Sequence, residues 1–190
     1  MTAKKREGVE CYSLSGTAVL KGFVKNGLDS STLINLIVSF DNNLTEFKRR
    51  GFTFPPNIFF YHEISWPEVI GVLINEYGFT KDEAKAKLKD LIQRLHLIRI
   101  RRMSSDTAYE ALAKKANEKV VRDSGNPKLR IGDNDVIIIG GFHREGITFV
   151  HSGDNGFLRT CKELKINIIP TPKKDIGMER YIKERLRKNS

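Results

Sequence analysis

Four carboxylates spread along the chain could together bind a divalent metal ion. Asp29 follows a short extended segment and precedes an apolar helix, and Glu68 lies in the first turn of a later helix. Asp135 opens the segment VIIIGG, and Asp154 follows the strand ITFVHS. A carboxylate at a helix N-terminus gains about 0.3–1 kcal/mol, but four carboxylates in one place repel each other and raise their pKa values. Mg²⁺ or Mn²⁺, which prefer oxygen ligands, would offset that repulsion.

Each of these acids also has an ordinary structural interpretation. Asp29 and Asp154 could simply cap the helices that follow them. Glu68 could interact with the dipole of its own helix, and Asp135 could be a turn and cap residue. Glu63 lies shortly before Glu68 and could exchange roles with it if the preceding strand ended elsewhere. Only the four positions together, and the elements that place them, indicate a site.

The apolar pattern predicts an α/β protein in which the acids meet at one edge of a sheet. Short apolar runs predict buried strands, and longer segments with apolar residues at helical spacing predict helices. After a hairpin within 9–24 and an extended segment ending at 28–29, the expected strands are 57–62, 97–101, 147–152 and 166–170. The expected helices are 30–40, 65–78, 80–96, 105–121, 135–146 and 156–164, with a loop or insertion at 41–57. This alternation indicates a mainly parallel sheet, whose ligand sites lie beyond the carboxyl ends of its strands.

Local signals predict how two of the helices begin and favour a helix in a third, ambiguous segment. Ser65 is the expected N-cap of its helix, and Thr80 with Glu83 forms a capping box. Segment 135–146 is rich in β-branched residues, so a strand competes with a helix there. The pair Gly140–Gly141 in its middle favours the helix.

Composition and charge suit a soluble globular protein with a polyanionic partner. The chain is 39% apolar and 29% charged, and 33 basic against 23 acidic side chains give a net charge of +10. A solvated surface would also explain that charge, whereas clusters at 4–6, 48–50 and 99–102 favour contact with nucleic-acid phosphates. No run is apolar and long enough to span a membrane, and the polar N-terminus does not predict a signal peptide, so a cytoplasmic protein is expected. Two cysteines are too few for a four-thiolate zinc site.

Three segments resemble the acidic motifs of PIN domains, among them toxins of the VapC type. The segments are LDSSTLI, PEVIGVL and DVIIIGGFHREGITFVHSGDNGF, within roughly residues 23–172. The resemblance implies a three-layer α/β/α fold and hydrolysis of single-stranded RNA with Mg²⁺ or Mn²⁺. It also implies an antitoxin partner and a homodimer.

The same resemblance assigns roles to individual residues. Asp29, Glu68, Asp135 and Asp154 would be the catalytic and metal-binding acids. Ser152, in a hydroxyl-x-Asp turn, would orient Asp154 and its loop in the cofactor site. The nuclease domain would span 23–172, preceded by a hairpin extension at 1–22 and followed by a basic helix or tail at 173–190.

The sequence departs from the PIN pattern at two points, which leaves other functions open. Asn26–Gly27 is a turn signal where PIN domains have an apolar strand, and Gly156 stands where a further acid is often found. Both departures favour a second hypothesis, a non-catalytic PIN-like module that binds RNA or takes part in RNA processing or ribosome assembly. A third hypothesis, another kind of nucleotide-binding α/β protein, is disfavoured because Gly140–Gly141 lacks the spacing of a phosphate-binding loop.

Overall fold

A computed structural model gives the fold of most of the chain. It describes residues 13–14, 17–18, 23–38 and 56–171. Several sequence features lie outside those residues: the hairpin turn at 15–16, most of the 41–57 insertion, the basic clusters at 4–6 and 48–50, Cys11, and the segment 173–190. Within the described ranges, no helix combines the length and apolar composition that crossing a bilayer requires.

A parallel five-stranded sheet forms the centre of the molecule. Its strands are β3 (Val24–Leu28), β4 (Asn57–His62), β5 (Ile98–Ile100), β6 (Phe149–Ser152) and β7 (Asn167–Pro170). They lie in the order β5-β4-β3-β6-β7, and every neighbouring pair is parallel. A separate antiparallel pair, β1 (Ser13–Leu14) and β2 (Thr17–Ala18), stands where the sequence predicts a hairpin.

Helices cover both faces of this sheet. They are α1 (Ser30–Val38), α2 (Ser65–Asn75), α3 (Lys81–Arg94), α4 (Thr107–Ser124), α5 (Asp133–Arg144) and α6 (Asn155–Glu163). One apolar core lies between the sheet and α1, α2 and α3, and a second core lies between the sheet and α4, α5 and α6. Two cores on opposite faces make a three-layer α/β/α sandwich, which confirms the predicted fold class.

The start of α3 agrees with the sequence, whereas the start of α2 does not. Thr80 accepts a hydrogen bond from the Glu83 backbone N–H at 3.3 Å, and Glu83 Oε2 accepts one from the Thr80 backbone N–H at 2.8 Å. Ser65 is not the N-cap of α2, because it is already a helical residue and its hydroxyl is buried without a partner. The N-cap is Ile64, whose N–H donates to His62 Nδ1 at 3.2 Å. That bond closes the turn after β4 and starts the helix one residue early.

Segment 135–146 is helical because its two central glycines allow close packing. A Cβ atom at Gly140 would lie 3.0 Å from the Glu110 backbone nitrogen, and one at Gly141 would lie 2.6 Å from His62 Cδ2. Helix α5 can therefore lie directly against α4 and β4. Val136, Ile138 and Ile139 pack into the second core, so tertiary contacts outweigh the strand propensity of the segment.

The turn interpretation of Asn26–Gly27 is wrong, because both residues lie inside β3. Asn26 Nδ2 donates to Asn57 Oδ1 at 3.0 Å, and Asn26 Oδ1 is 3.0 Å from His151 Nε2. Partners on the strands to either side thus satisfy a polar side chain that is almost fully buried. Gly27 leaves room for the ring of Phe142, whose Cε2 would be 2.8 Å from any Cβ at that position.

Candidate functional site

The central strands β3 and β6 bring two of the predicted acids to the same edge of the sheet. Asp29 directly follows β3, and Asp154 follows β6 with Gly153 between them. The backbone N–H of Asp29 donates to the carbonyl of His151 in β6 at 3.3 Å. Because β3 and β6 are parallel neighbours, the loops after their carboxyl ends lie side by side.

Asp29 is a buried carboxylate held by a set of hydroxyl and amide donors. It is 5% exposed. Its Oδ1 accepts the Thr32 backbone N–H at 2.8 Å, so it caps α1. The Ser31 hydroxyl lies 3.0 and 2.9 Å from its two oxygens. Burial raises the pKa of Asp29 above its usual value, and the hydrogen bonds from Ser152, Thr32 and Ser31 oppose that rise.

Ser152 connects the two acidic loops. Its buried hydroxyl donates to Asp29 Oδ2 at 2.5 Å and accepts the Asp154 backbone N–H at 2.9 Å. The neighbouring Gly153 N–H donates to the Ser31 hydroxyl at 2.9 Å. The serine therefore fixes the position of the Asp154 backbone relative to the buried Asp29 carboxylate.

The contacts of the two candidate glutamates differ. Glu68, in the first turn of α2, accepts a hydrogen bond from the Ser30 hydroxyl at 2.7 Å, beside Asp29. Glu63 instead accepts the Arg102 backbone N–H at 2.8 Å. Glu68 is therefore the glutamate next to the acidic edge, and Glu63 holds the loop after β5.

Asp135 is the acid whose pKa is affected by the charges of the other three. It is only partly exposed, and its Oδ2 accepts the Gly132 backbone N–H at 3.1 Å across the first turn of α5. Burial raises its pKa from 3.8 to about 6. The backbone hydrogen bond opposes that rise, and the negative charges of Glu68, Asp154 and Asp29 add to it. Acids from four separate segments thus share one electrostatic field.

Asp154 is the most exposed of the four acids. Its side chain accepts the Phe157 backbone N–H at 2.7 Å and caps α6. The ordinary capping interpretation therefore holds for Asp29, Asp154 and Asp135, and it coexists with their shared location. Capping leaves carboxylate lone pairs free for another ligand, since each carboxylate can accept about four hydrogen bonds.

The sequence interpretation missed the role of the hydroxyl residues that follow Asp29. Ser30 contacts Glu68 and Ser31 contacts Asp29, while the Thr32 hydroxyl donates to the His151 carbonyl at 2.8 Å. Three consecutive hydroxyl side chains after an acid are the signal that indicates such a network. They connect α1 to α2 and β6.

The four carboxylates fit a divalent cation in donor chemistry and charge. All their donor atoms are oxygen, which Mg²⁺ and Mn²⁺ prefer. Burial raises the pKa of Asp135 most, and a bound cation would offset the repulsion from the other acids that adds to this rise. The described residues contain no group of three or more His, Cys, Asp or Glu side chains close enough to hold a metal ion as they stand. Side-chain rotation at the partly exposed Asp135, Glu68 and Asp154 would be needed to complete a ligand set.

Gly156 is explained by packing. A Cβ atom there would lie 2.6 Å from the Leu129 carbonyl oxygen, a backbone atom that cannot swing aside. An acidic side chain at this position would therefore require the segment around Leu129 to move. The glycine at this position, where PIN domains often have an acid, therefore fits the close approach of the segment around Leu129.

Comparisons with known proteins agree with this architecture. No family model and no curated protein sequence matches the chain. The chain is similar to a chain of VapBC2 from Rickettsia felis, solved bound to a DNA fragment from their promoter. The TM-score is 0.50 and the identity 18%, covering 77% of this chain and 98% of that one. It is also similar to a chain of VapBC-1 from nontypeable Haemophilus influenzae, with a TM-score of 0.51, 14% identity, and the same coverage of 77% and 98%. Together with the three-layer sheet topology, these similarities show that the chain has the PIN-domain fold of VapC-like proteins.

Proposed function

We propose that the chain is an endoribonuclease that uses Mg²⁺ or Mn²⁺ to cut single-stranded RNA. The observation that carries this proposal is the convergence of four acids on one sheet edge, where burial raises the pKa of Asp135 and the charges of the other three acids add to that rise. Strongly perturbed carboxylates in one place are a common mark of functional sites. The net charge of +10 supports a polyanionic substrate.

The proposed roles of the four acids differ with their exposure. Asp135, Glu68 and Asp154 are the accessible carboxylates that would hold the cation together with Asp29. Asp29 and Ser152 would also keep the Asp154 loop in position through their 2.5 Å hydrogen bond. When bound, the cation would supply an activated water and neutralise charge on the phosphate.

The partners of this enzyme belong to the same proposal. Two of the similar structures are VapBC assemblies, which supports a toxin that is paired with an antitoxin protein. We include a homodimer and a cytoplasmic location in the proposal. Co-purification of a tagged chain with the product of an adjacent gene would test the antitoxin partner.

The test of the proposed activity is cleavage of a single-stranded RNA oligonucleotide labelled with a fluorophore and a quencher. Cleavage should require Mg²⁺ or Mn²⁺ and stop on addition of EDTA. Asp154→Asn keeps an oxygen that can cap α6 but removes a negative charge. It should lower the rate by at least about 10–100-fold, the loss typical of residues that support a metal site. The matched control is Asp82→Asn, an exposed acid in the first turn of α3, which should cleave like the wild type. Cleavage that persists with EDTA and in Asp154→Asn would reject the metal mechanism.

A second candidate is an RNA-binding module that does not cut. It is favoured by the finding that, in the part of the chain that the structure describes, no three potential ligands are already grouped for a metal ion. This candidate predicts salt-sensitive RNA binding that is unchanged in Asp135→Asn and Asp154→Asn, and no cleavage with either metal.

A further inference from the structure

A cavity of about 480 Å³ lies beside the acidic edge, between α4 and the start of α5. Its volume falls in the range of about 300–1,000 Å³ that is typical of small-molecule sites. The walls come from residues 114–122 of α4, from residues 130–131, and from the first turn of α5. None of the four acids of the proposed metal site lines it, so the cavity is distinct from that site.

Three cationic side chains line the cavity. Lys114, Arg122 and Arg130 all line it and all are exposed. Arg122 Nε lies 3.5 Å from Asp123 Oδ1, but both side chains are mostly exposed, so solvent weakens this ion pair. Lys114 and Arg130 make no ion pair with any residue that the structure describes. Cations without carboxylate partners can bind the phosphates of a nucleic-acid backbone.

Aliphatic side chains also line the cavity, and hydrogen bonds hold the wall formed by residues 129–131. Val121, Ile131 and Val136 are partly buried and line the cavity. Buried Asn117 fixes this wall, because its Oδ1 accepts the Ile131 N–H at 3.3 Å and its Nδ2 donates to the Leu129 carbonyl at 2.9 Å. Aliphatic side chains together with cations offer contacts for both the face of a base and a phosphate.

The cavity and the acids share the first turn of α5. Asp133 lines the cavity, and Asp135, in the same turn, accepts the Gly132 N–H. Asp133 and Glu118 are the carboxylates of the lining, and Glu118 lies one helical turn from both Lys114 and Arg122, so the three cations exceed the lining acids by one charge. An RNA strand could place one nucleotide in the cavity and continue to the acidic edge.

We infer that this cavity is a nucleotide subsite of the RNA strand. Lys114, Arg122 and Arg130 bind phosphate, and Val121, Ile131 and Val136 contact the base. The inference rests on the proposed function for its substrate, because the bound nucleotide is one that flanks the cleaved bond.

The first test compares two double charge reversals in the full chain. Lys114→Glu with Arg130→Glu changes two cations of the cavity, and Lys115→Glu with Lys128→Glu changes two exposed lysines nearby that do not line it. Both variants lower the net charge equally, so they differ only in location. Binding is measured by the fluorescence anisotropy of a labelled single-stranded RNA in EDTA, where the proposed cleavage does not occur.

The cavity variant should bind RNA about tenfold or more weakly than the control variant. The dependence of log K on log salt should also become shallower by about 1.4, since each lost phosphate contact contributes about 0.7 for a single strand. Equal weakening in both variants would reduce the effect to overall charge and overturn the subsite. Undiminished binding in the cavity variant, or no RNA binding by the wild type, would also overturn it.

A second variant separates a nucleotide subsite from a simple anion site. Val121→Trp puts a bulky ring in place of an aliphatic lining residue and should weaken the binding of RNA but not of inorganic polyphosphate, which has no bases. Equal effects on both probes, or none on RNA, would overturn the assignment of the base contact. The outcome for the proposed enzyme is read separately: cavity-dependent RNA binding without metal-dependent cleavage would reject the nuclease and retain the subsite.

Discussion

Replacing Asp135 by asparagine is expected to stabilise the protein near neutral pH. The carboxylate is disfavoured there by burial and by three neighbouring negative charges, which raise its pKa from 3.8 to about 6. An acid whose pKa is raised in the folded state contributes stability below the unfolded pKa and loses it as the pH rises through the folded pKa. A rise from 3.8 to about 6 corresponds to about 3 kcal/mol of lost stability above pH 6. Asparagine removes the charge and keeps an oxygen that can accept the Gly132 N–H.

The assay is urea-induced unfolding in EDTA, near pH 4 and near pH 8. The free energy of unfolding of Asp135→Asn should exceed that of the wild type by up to about 3 kcal/mol near pH 8 and by little near pH 4. Asp82→Asn, the exposed first-turn acid of α3, is the matched control and should show no such pH-dependent gain. If Asp135→Asn is no more stable than the wild type near pH 8, or gains equally at both pH values, the acids do not share the electrostatic field described above.

Three further outcomes follow from the same contacts. Mg²⁺ should raise the wild-type free energy of unfolding more than that of Asp135→Asn, because a cation relieves repulsion only where the charge is present; equal gains in calorimetry would count against a metal site at these acids. Gly156→Ala should lower the free energy of unfolding by about 1–3 kcal/mol, because its Cβ would lie 2.6 Å from a backbone carbonyl oxygen. Gly71→Ala, whose Cβ would have nothing within 4 Å, should leave the stability unchanged or raise it. Equal effects of the two substitutions in urea unfolding would contradict the packing argument. Ser152→Ala should lower the free energy of unfolding by about 1.5–3 kcal/mol near pH 7 and raise the pKa of Asp29 further. An unchanged midpoint of urea unfolding would show that the 2.5 Å hydrogen bond contributes nothing to stability.

The α/β/α fold was predictable because its signals repeat along the chain. Alternating apolar strands and amphipathic helices indicate a parallel sheet, and the described strands are all parallel in the five-stranded sheet. A parallel sheet then requires that Asp29 and Asp154, which follow neighbouring strands, lie at one edge. The capping box of Thr80 and Glu83 was also predictable, because both partners are three residues apart.

The features that the sequence did not predict depend on partners far along the chain. Asn26 reads as a turn residue until Asn57 and His151 are placed on the two flanking strands. From the sequence alone, Gly156 looks like a missing acid, and only the structure shows that the Leu129 carbonyl oxygen leaves no room there for a side chain. Local sequence signals cannot report contacts of this kind, since the fold itself creates them.

The hydrogen bond between Ser152 and Asp29 joins residues 123 positions apart. During synthesis, the first acid leaves the ribosome long before the strand that must lie beside it. A nascent chain that stops before β6 carries Asp29 without its serine partner and without Asp154. The acidic edge therefore cannot form before β6 has been synthesised.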